Sequence, residues 1–118
     1  MILVDTSIWL DHFRKGNAEL VVLLNNVQVL GHPFIEGEIG CGNLRNRHDV
    51  LSLLRDLPKA LVAEHEEVVL LVESRKLMGQ GIGWIDAHLL ASALLSKCNL
   101  WTIDKNLRKL SAKLGVMH

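Results

Sequence analysis

MILVDTS, residues 1–7, is four apolar residues closed by an acid and two hydroxyls, and its reading decides the fold. Met1–Val4 offers no polar position to either side, so it is predicted as a strand buried on both faces, the setting of a central strand in a parallel sheet. Asp5 ends the run, and Thr6 or Ser7 can cap a helix through Ile8, Trp9 and Phe13. The same pattern returns near the other end of the chain. LWTID, residues 100–104, predicts a strand over Leu100–Ile103 that stops at Asp104, then a helix over Lys105–Leu114 and a short apolar tail at Val116-Met117.

Between these two units, Gly16-Asn17 marks a turn and Ala18–Asn25 a second helix. Val27–Leu30 reads as a strand, stopped by Gly31-His32-Pro33. Phe34–Leu44 is predicted helical in spite of its three glycines, each of which weakens a helix. Asp49–Leu57 is another helix, ended by Pro58, and Ala60–Ala63 is a candidate third strand. Glu64–Met78 carries Val68, Leu71, Val72, Arg75 and Met78 at helical spacing, and the glycines at 79, 81 and 83 end it. Those glycines do not have the spacing of a dinucleotide loop, and no strand precedes them. Ile85–Lys97 is a helix rich in Ala and Leu. Strands separated by helices imply parallel pairing with helices on both faces, an α/β fold of three layers (α/β/α) around a mainly parallel sheet. With 118 residues, no internal repeat and no linker, residues 1–118 are expected to form one domain.

Composition narrows the class of protein. The chain is 49% hydrophobic and 22% charged, which suits a globular domain and not a disordered one. Asp5 and Asp11 interrupt the first dozen residues, so no secretory leader is read there. The apolar runs fall well short of the roughly 20 residues that a membrane span needs, and a soluble, cytoplasmic protein is expected. Cys41 and Cys98 have no CxxC and no histidine at zinc spacing, and are expected to be buried, reduced thiols. Lys and Arg number 13 against 13 Asp and Glu, so only a local patch could attract a polyanion. The C-terminal end supplies one: Lys97, Lys105, Arg108, Lys109 and Lys113 face a single acid, Asp104. The acidic counterpart is Glu64–Glu73.

Four carboxylates carry the chemistry. Asp5 and Asp104 lie just past the carboxyl ends of their strands, the edge of an open parallel sheet where ligands bind. Asp86 begins the Ile85–Lys97 helix and Glu38 lies in the helix after the second strand. Singly, each has a plain structural explanation as a cap, a turn former or a solvated helix residue. Together they would repel, by roughly 4 kcal/mol for a pair about 4 Å apart at an effective dielectric near 20. Such a cluster calls for protons or a cation. An all-oxygen set suits Mg²⁺, with Mn²⁺ also admitted, and ions so held make phosphodiester hydrolysis the natural hypothesis.

On MILVDTSIWLDHF, PFIEGEIGCGNL, GWIDAHLLASALL and LWTIDKNLRKL, in that order along the whole chain, the sequence resembles the PIN-domain family, and within it the VapC-type toxins of bacterial toxin–antitoxin pairs. The resemblance implies a Mg²⁺-dependent endoribonuclease acting as the toxin, a central parallel sheet, frequent dimerisation and a small cognate antitoxin. It places Asp5, Glu38, Asp86 and Asp104 as the family's first to fourth acids, which makes them the expected catalytic and metal-binding residues. Glu36 competes with Glu38, but helix positions two apart do not share a face and the GE-x-x-x-G context favours Glu38. The RNA is expected to be structured, a tRNA or ribosomal RNA loop, because net charge is zero and aromatic residues are few.

Other residues were weighed beside these. Ser7 and Thr102 flank the acids and suit either local capping or a bond to a carboxylate. His88 is expected to be structural; His12, His32 and His48 have no partner spacing. Arg14 and Lys15 suit exposed loop charges better than phosphate contacts, and Trp84 is expected in the core more than in base stacking. The apolar surface of the first two helices (Ile8, Trp9, Phe13, Leu20, Val21, Leu24) is expected to be covered partly by a second copy or an antitoxin helix. Two other functions remain open: a metal-stabilised RNA-binding protein without turnover, and an aspartyl-nucleophile phosphatase, which would want a second aspartate where Ser7 stands.

Overall fold

A computed structural model describes residues 1–118. Three short parallel strands, β1 (Ile2–Val4), β2 (Val29–Leu30) and β3 (Asn99–Trp101), form a sheet in the order β2-β1-β3. Leu3 pairs with Leu30 on one side and Leu100 on the other. Leu3 and Val4 are fully buried, as an apolar strand with a neighbour at each edge must be. Seven helices surround the sheet in the α/β/α arrangement: α1 (Thr6–Lys15), α2 (Ala18–Asn25), α3 (Pro33–Gly40), α4 (Arg47–Asp56), α5 (His65–Ser74), α6 (Trp84–Ser96) and α7 (Lys105–Lys113). One core joins Trp9, Leu20, Ile35, Ile39, Leu89, Leu90, Leu100, Leu107 and Leu110 to the strands, and a smaller cluster of Ala63, Val68, Ala87 and Ala91 seats α5 on α6.

Single backbone bridges extend the sheet at both edges. Gly31 pairs with Lys59 beside β2, and Leu100 with Met117 beside β3. Ala60–Ala63 is therefore not a strand. Pro58 has no N–H to give, the pairing is limited to the bonds Gly31 N–H to Pro58 and Ala60 N–H to Gly31, and Leu61 and Val62 turn outward.

Four helices end in one device. After α2, α5, α6 and α7 a residue enters the left-handed region: Val27, Lys76, Lys97 and Gly115. The N–H of the next residue then reaches back to a carbonyl five residues earlier (Gln28 to Leu23, Leu77 to Val72, Cys98 to Ala93, Val116 to Ser111), the Schellman closure. Two boundaries move as a result. Val27 closes α2 and is 67% exposed, so β2 starts at Val29. The Glu64–Met78 helix stops at Ser74, with Leu77 buried after the turn and Met78 exposed. The predicted Phe34–Leu44 helix likewise ends at Gly40, while α4 begins two residues before Asp49.

Of the apolar surface on the first two helices, Ile8, Trp9 and Leu20 are covered by the chain itself, whereas Leu10, Val21 and Val22 stay exposed. No helix is long and apolar enough to cross a membrane.

Candidate acidic site at the carboxyl edge of the sheet

β1 delivers Asp5 at the N-cap of α1, in extended backbone and only 7% exposed. A carboxylate so enclosed needs donors, and two hydroxyls supply them. Ser7 Oγ and Thr102 Oγ1 each donate to Asp5 Oδ2 at 2.7 Å. With both hydroxyl protons committed, their 3.3 Å separation is a packing contact, and their lone pairs accept from the backbone. Ile103 N–H donates to Ser7 Oγ and Asp104 N–H to Thr102 Oγ1, each at 3.1 Å. The segment after β3 is thus tied to the acid after β1 through two hydroxyl relays, and Asp5 Oδ1 takes no part in the clamp.

Asp104 caps α7, accepting from Leu107 N–H at 2.9 Å, and is exposed. Asp86 lies in the first turn of α6, where Oδ2 accepts from Gly83 N–H at 3.1 Å. Burial pushes its carboxyl above the ordinary value; the Gly83 bond opposes this, while the negative charges of Asp5 and Asp104 add to it. That mutual influence is the electrostatic sign that the three aspartates share one space. Glu38, exposed on α3, joins from the side, with Thr6 Oγ1 donating to its Oε1 at 2.9 Å. Thr6 is the residue after Asp5. Glu36 faces elsewhere and pairs with Arg55 at 3.0 Å. The structure therefore brings Asp5, Asp86 and Asp104 into electrostatic range and attaches Glu38 to the same end of the molecule.

No three His, Cys, Asp or Glu side chains close around one point as a ready-made ion cage. The donor chemistry still fits a hard divalent cation. Mg²⁺ keeps most of its waters and takes one or two carboxylates, and a half-buried acid destabilised by two acidic neighbours gains from a positive charge.

Several residues at the site went unread in the sequence. Asn106 Nδ2 donates to Gly81 O at 3.3 Å, fastening the loop before Asp86 to the first turn of α7. Gly81 has φ +80°, a conformation that favours glycine, and a Cβ there would displace the Asn106 side chain from its bond. The Thr6–Glu38 bond was equally unforeseen. Two expectations are corrected. Trp84, the first residue of α6, is 44% exposed and not a core residue. Cys41 is exposed where α3 ends, while Cys98 is buried as expected. His88 is buried and structural, stacked edge-on against Phe34 and Trp84. His32, which spacing left without a role, caps α3: its Nδ1 accepts from Phe34 N–H, so its Nε2–H points to Ser92 Oγ, each at 3.0 Å. Arg14 and Lys15 both pair with Asp11.

The family model described as the PIN domain matches residues 2–113. The chain belongs to the PIN-domain family. Ribonuclease VapC32 of Mycobacterium tuberculosis, in strains CDC 1551 / Oshkosh and ATCC 25618 / H37Rv, is 44% identical over 117 residues, which covers 98% of this chain and 94% of that protein. That near full-length match spans the whole PIN domain, from β1 to α7.

Proposed function

We infer that this PIN domain is a metal-dependent endoribonuclease, the toxin of a toxin–antitoxin pair, with Asp5, Glu38, Asp86 and Asp104 as its catalytic and metal-binding acids. The observation that carries the reading is Asp5: a buried carboxylate at the end of the central strand, gripped on one oxygen by two hydroxyls and facing Asp86, in a chain 44% identical to a ribonuclease. Asp5 Oδ1, Asp86 and Asp104 would hold Mg²⁺ (or Mn²⁺), with Glu38 beside them. A bound divalent ion supplies charge neutralisation at the scissile phosphate and activation of water.

The chain's own groups supply orientation. Ser7 and Thr102 fix the rotation of the Asp5 carboxylate, which leaves Oδ1 as its free edge. The Gly83 bond aims Asp86, and the Leu107 bond aims Asp104. Lys105, Arg108 and Lys109 on α7 are exposed and pair with no acid, so a basic helix leads away from the acids along a path that an RNA backbone can follow. A structured RNA such as a tRNA is the proposed substrate. Exposed Leu10, Val21 and Val22 support a proteinaceous cover, a cognate antitoxin or a second copy, and a cytoplasmic location goes with that role.

Purified protein should be incubated with total cellular RNA in Mg²⁺, in Mn²⁺ and in chelator, beside Asp5→Asn. Discrete fragments that require the metal and vanish in the variant are expected. Identical behaviour of wild type and variant, with no cleavage of host RNA, would leave the acids as a structural or RNA-binding site without turnover.

A further inference from the structure

Beside Glu38 the surface sinks into an open cleft of about 400 Å³ between α3 and the start of α6, lined by Phe34, Gly37, Glu38, Cys41, Trp84 and Ile85 among others. It carries no Lys or Arg, so it does not suit a phosphate. Its walls are carbon: two aromatic rings and an isoleucine. Trp84 lines the cleft and is 44% exposed, with the ring of His65 5.1 Å away and that of His88 edge-on at 4.9 Å. Phe34 is held in the same way by His88 at 4.7 Å and His32 at 5.1 Å. A ring fixed by its neighbours and open on one side is a preorganised stacking surface, since little side-chain freedom remains to be lost on binding.

We propose that this cleft receives one unpaired nucleobase of the RNA, stacked on Trp84, at a nucleotide next to the scissile phosphate. The proposal rests on the ribonuclease reading of the acids and names the part of the substrate they work on. Position argues for it. Glu38 lines the cleft and is bonded to Thr6, the residue after Asp5, so the cleft adjoins the acidic site. A chain whose phosphate lies at the acids has its neighbouring base within reach of Trp84, and the Glu38 carboxylate at the rim can accept from a base amino group. Base stacking tolerates any base, but the base must first leave its own stack, which selects loops, bulges and single strands. One stacked base needs one ring, so the scarcity of aromatic residues is no objection.

Gly37 supplies a second handle. A Cβ built there meets nothing within 4 Å, so a side chain at this helical position projects into free space. Gly37→Leu should fill the cleft and strengthen α3. Trp84→Leu removes the ring and keeps a helix former at an exposed position.

The test uses the full chain and a ten-nucleotide RNA spanning the cleavage site mapped in total RNA, with a matching set in which single bases are removed. Trp84→Leu and Gly37→Leu are expected to cut the intact RNA roughly tenfold or more slowly, the usual order for losing one stacked base. One abasic position should cost the wild type a similar factor and cost Trp84→Leu nothing further. Independently of turnover, a mixed-sequence ten-nucleotide RNA in chelator should slow alkylation of Cys41, the exposed thiol on the cleft wall, in the wild type and in neither variant. Wild-type rates in both variants, or equal sensitivity at every abasic position, would overturn the cleft assignment and leave the nuclease standing. Loss of antitoxin binding without loss of RNA binding would give the cleft to a protein and overturn it as well. If the wild type cleaves no RNA, the nuclease reading falls, and Cys41 protection alone decides whether a base sits here.

Discussion

Thr102→Val tests the clamp on Asp5 with almost no change of shape. Thr102 is buried, and its hydroxyl makes two bonds, one donated to Asp5 Oδ2 at 2.7 Å and one accepted from Asp104 N–H at 3.1 Å. A bond to a charged acceptor contributes about 1.5–3 kcal/mol. The Asp104 amide bond is only part-buried, so water can partly replace the hydroxyl and the bond adds less. The expected loss is roughly 2 kcal/mol of unfolding free energy, or about 8 °C in Tm for a domain of this size. Ser7→Ala should cost less, about 1 kcal/mol, because Ser7 is only half-buried and water can reach its place.

The double variant carries the sharper test. With both donors gone, the buried Asp5 carboxylate has no partner left, so the combined loss should exceed the sum of the two by roughly 1 kcal/mol. In an Asp5→Asn background there is no charge to stabilise, and Thr102→Val should cost about half as much. Urea denaturation of the four proteins and their Asn counterparts, in chelator, measures all of these terms. A Thr102→Val loss below about 0.5 kcal/mol, or a loss unchanged by Asp5→Asn, would refute the view that the hydroxyls exist to hold this charge.

Further predictions concern other groups. Burial, then the neighbouring His88, lowers His32 to about 4 from 6.5; between those values the unfolded chain binds a proton that the folded chain refuses. Stability should therefore fall as pH drops from about 6.5 to about 4, by up to about 3 kcal/mol, and His32→Asn, which can still cap α3, should flatten that acid limb in urea titrations. Gly81→Ala places a Cβ against Asn106 at a positive φ, and should lower RNA cleavage severalfold and destabilise by about 1–2 kcal/mol. Glu38→Gln should abolish most cleavage, whereas Glu36→Gln should leave it intact and cost less than about 1 kcal/mol, being one partner of an exposed ion pair with Arg55. Val27→Gly, at an exposed left-handed position, should raise stability by about 1 kcal/mol, and an unchanged or lower Tm would count against strain there.

Much of this site is legible in the sequence because it hangs on strand ends. MILVD and LWTID announce their strands by apolar runs, and the acid that stops each run is the acid at the sheet edge. Asp86 is legible for a related reason: it stands in the first turn of a strongly apolar helix, where a carboxylate has a backbone donor. What escapes is side-chain pairing across the chain. Nothing local distinguishes Ser7 and Thr102 from ordinary caps, since their common partner Asp5 is 97 residues from Thr102 and only two from Ser7. Nothing marks Asn106 as the residue bonded to Gly81. Helix ends escape for a different reason. Three of the four Schellman closures use Val27, Lys76 and Lys97, residues that propensity does not assign to a left-handed turn, so the chain was expected to run on into strand at Val27 and on in helix to Met78. Trp84 and Cys41 mislead through their type, being commonly buried residues placed on an open cleft.

The acids are held in place by backbone polarity as much as by side chains. Asp5 stands at the N-cap position of α1, its side chain making no cap bond, Asp104 caps α7 and Asp86 lies in the first turn of α6, so three of the four acids occupy helix N-termini whose unpaired N–H groups carry partial positive charge. Each such placement stabilises a carboxylate by roughly 0.3–1 kcal/mol, while each close pair of carboxylates costs several times as much. Three helix ends therefore offset part of the repulsion and leave a deficit, which falls on Asp86, the acid with burial and two charged neighbours against it. That deficit favours whatever brings positive charge into the space. It also explains why the clamp sits on Asp5: the acid farthest from water is the one that solvent cannot help, and its two hydroxyls reach it from the first turn of α1 and from the residue after β3. The bonds that orient the acid thus also fasten the N-terminal strand to the segment after β3, so a change that frees the Asp5 carboxylate must also loosen the closure of the fold around it.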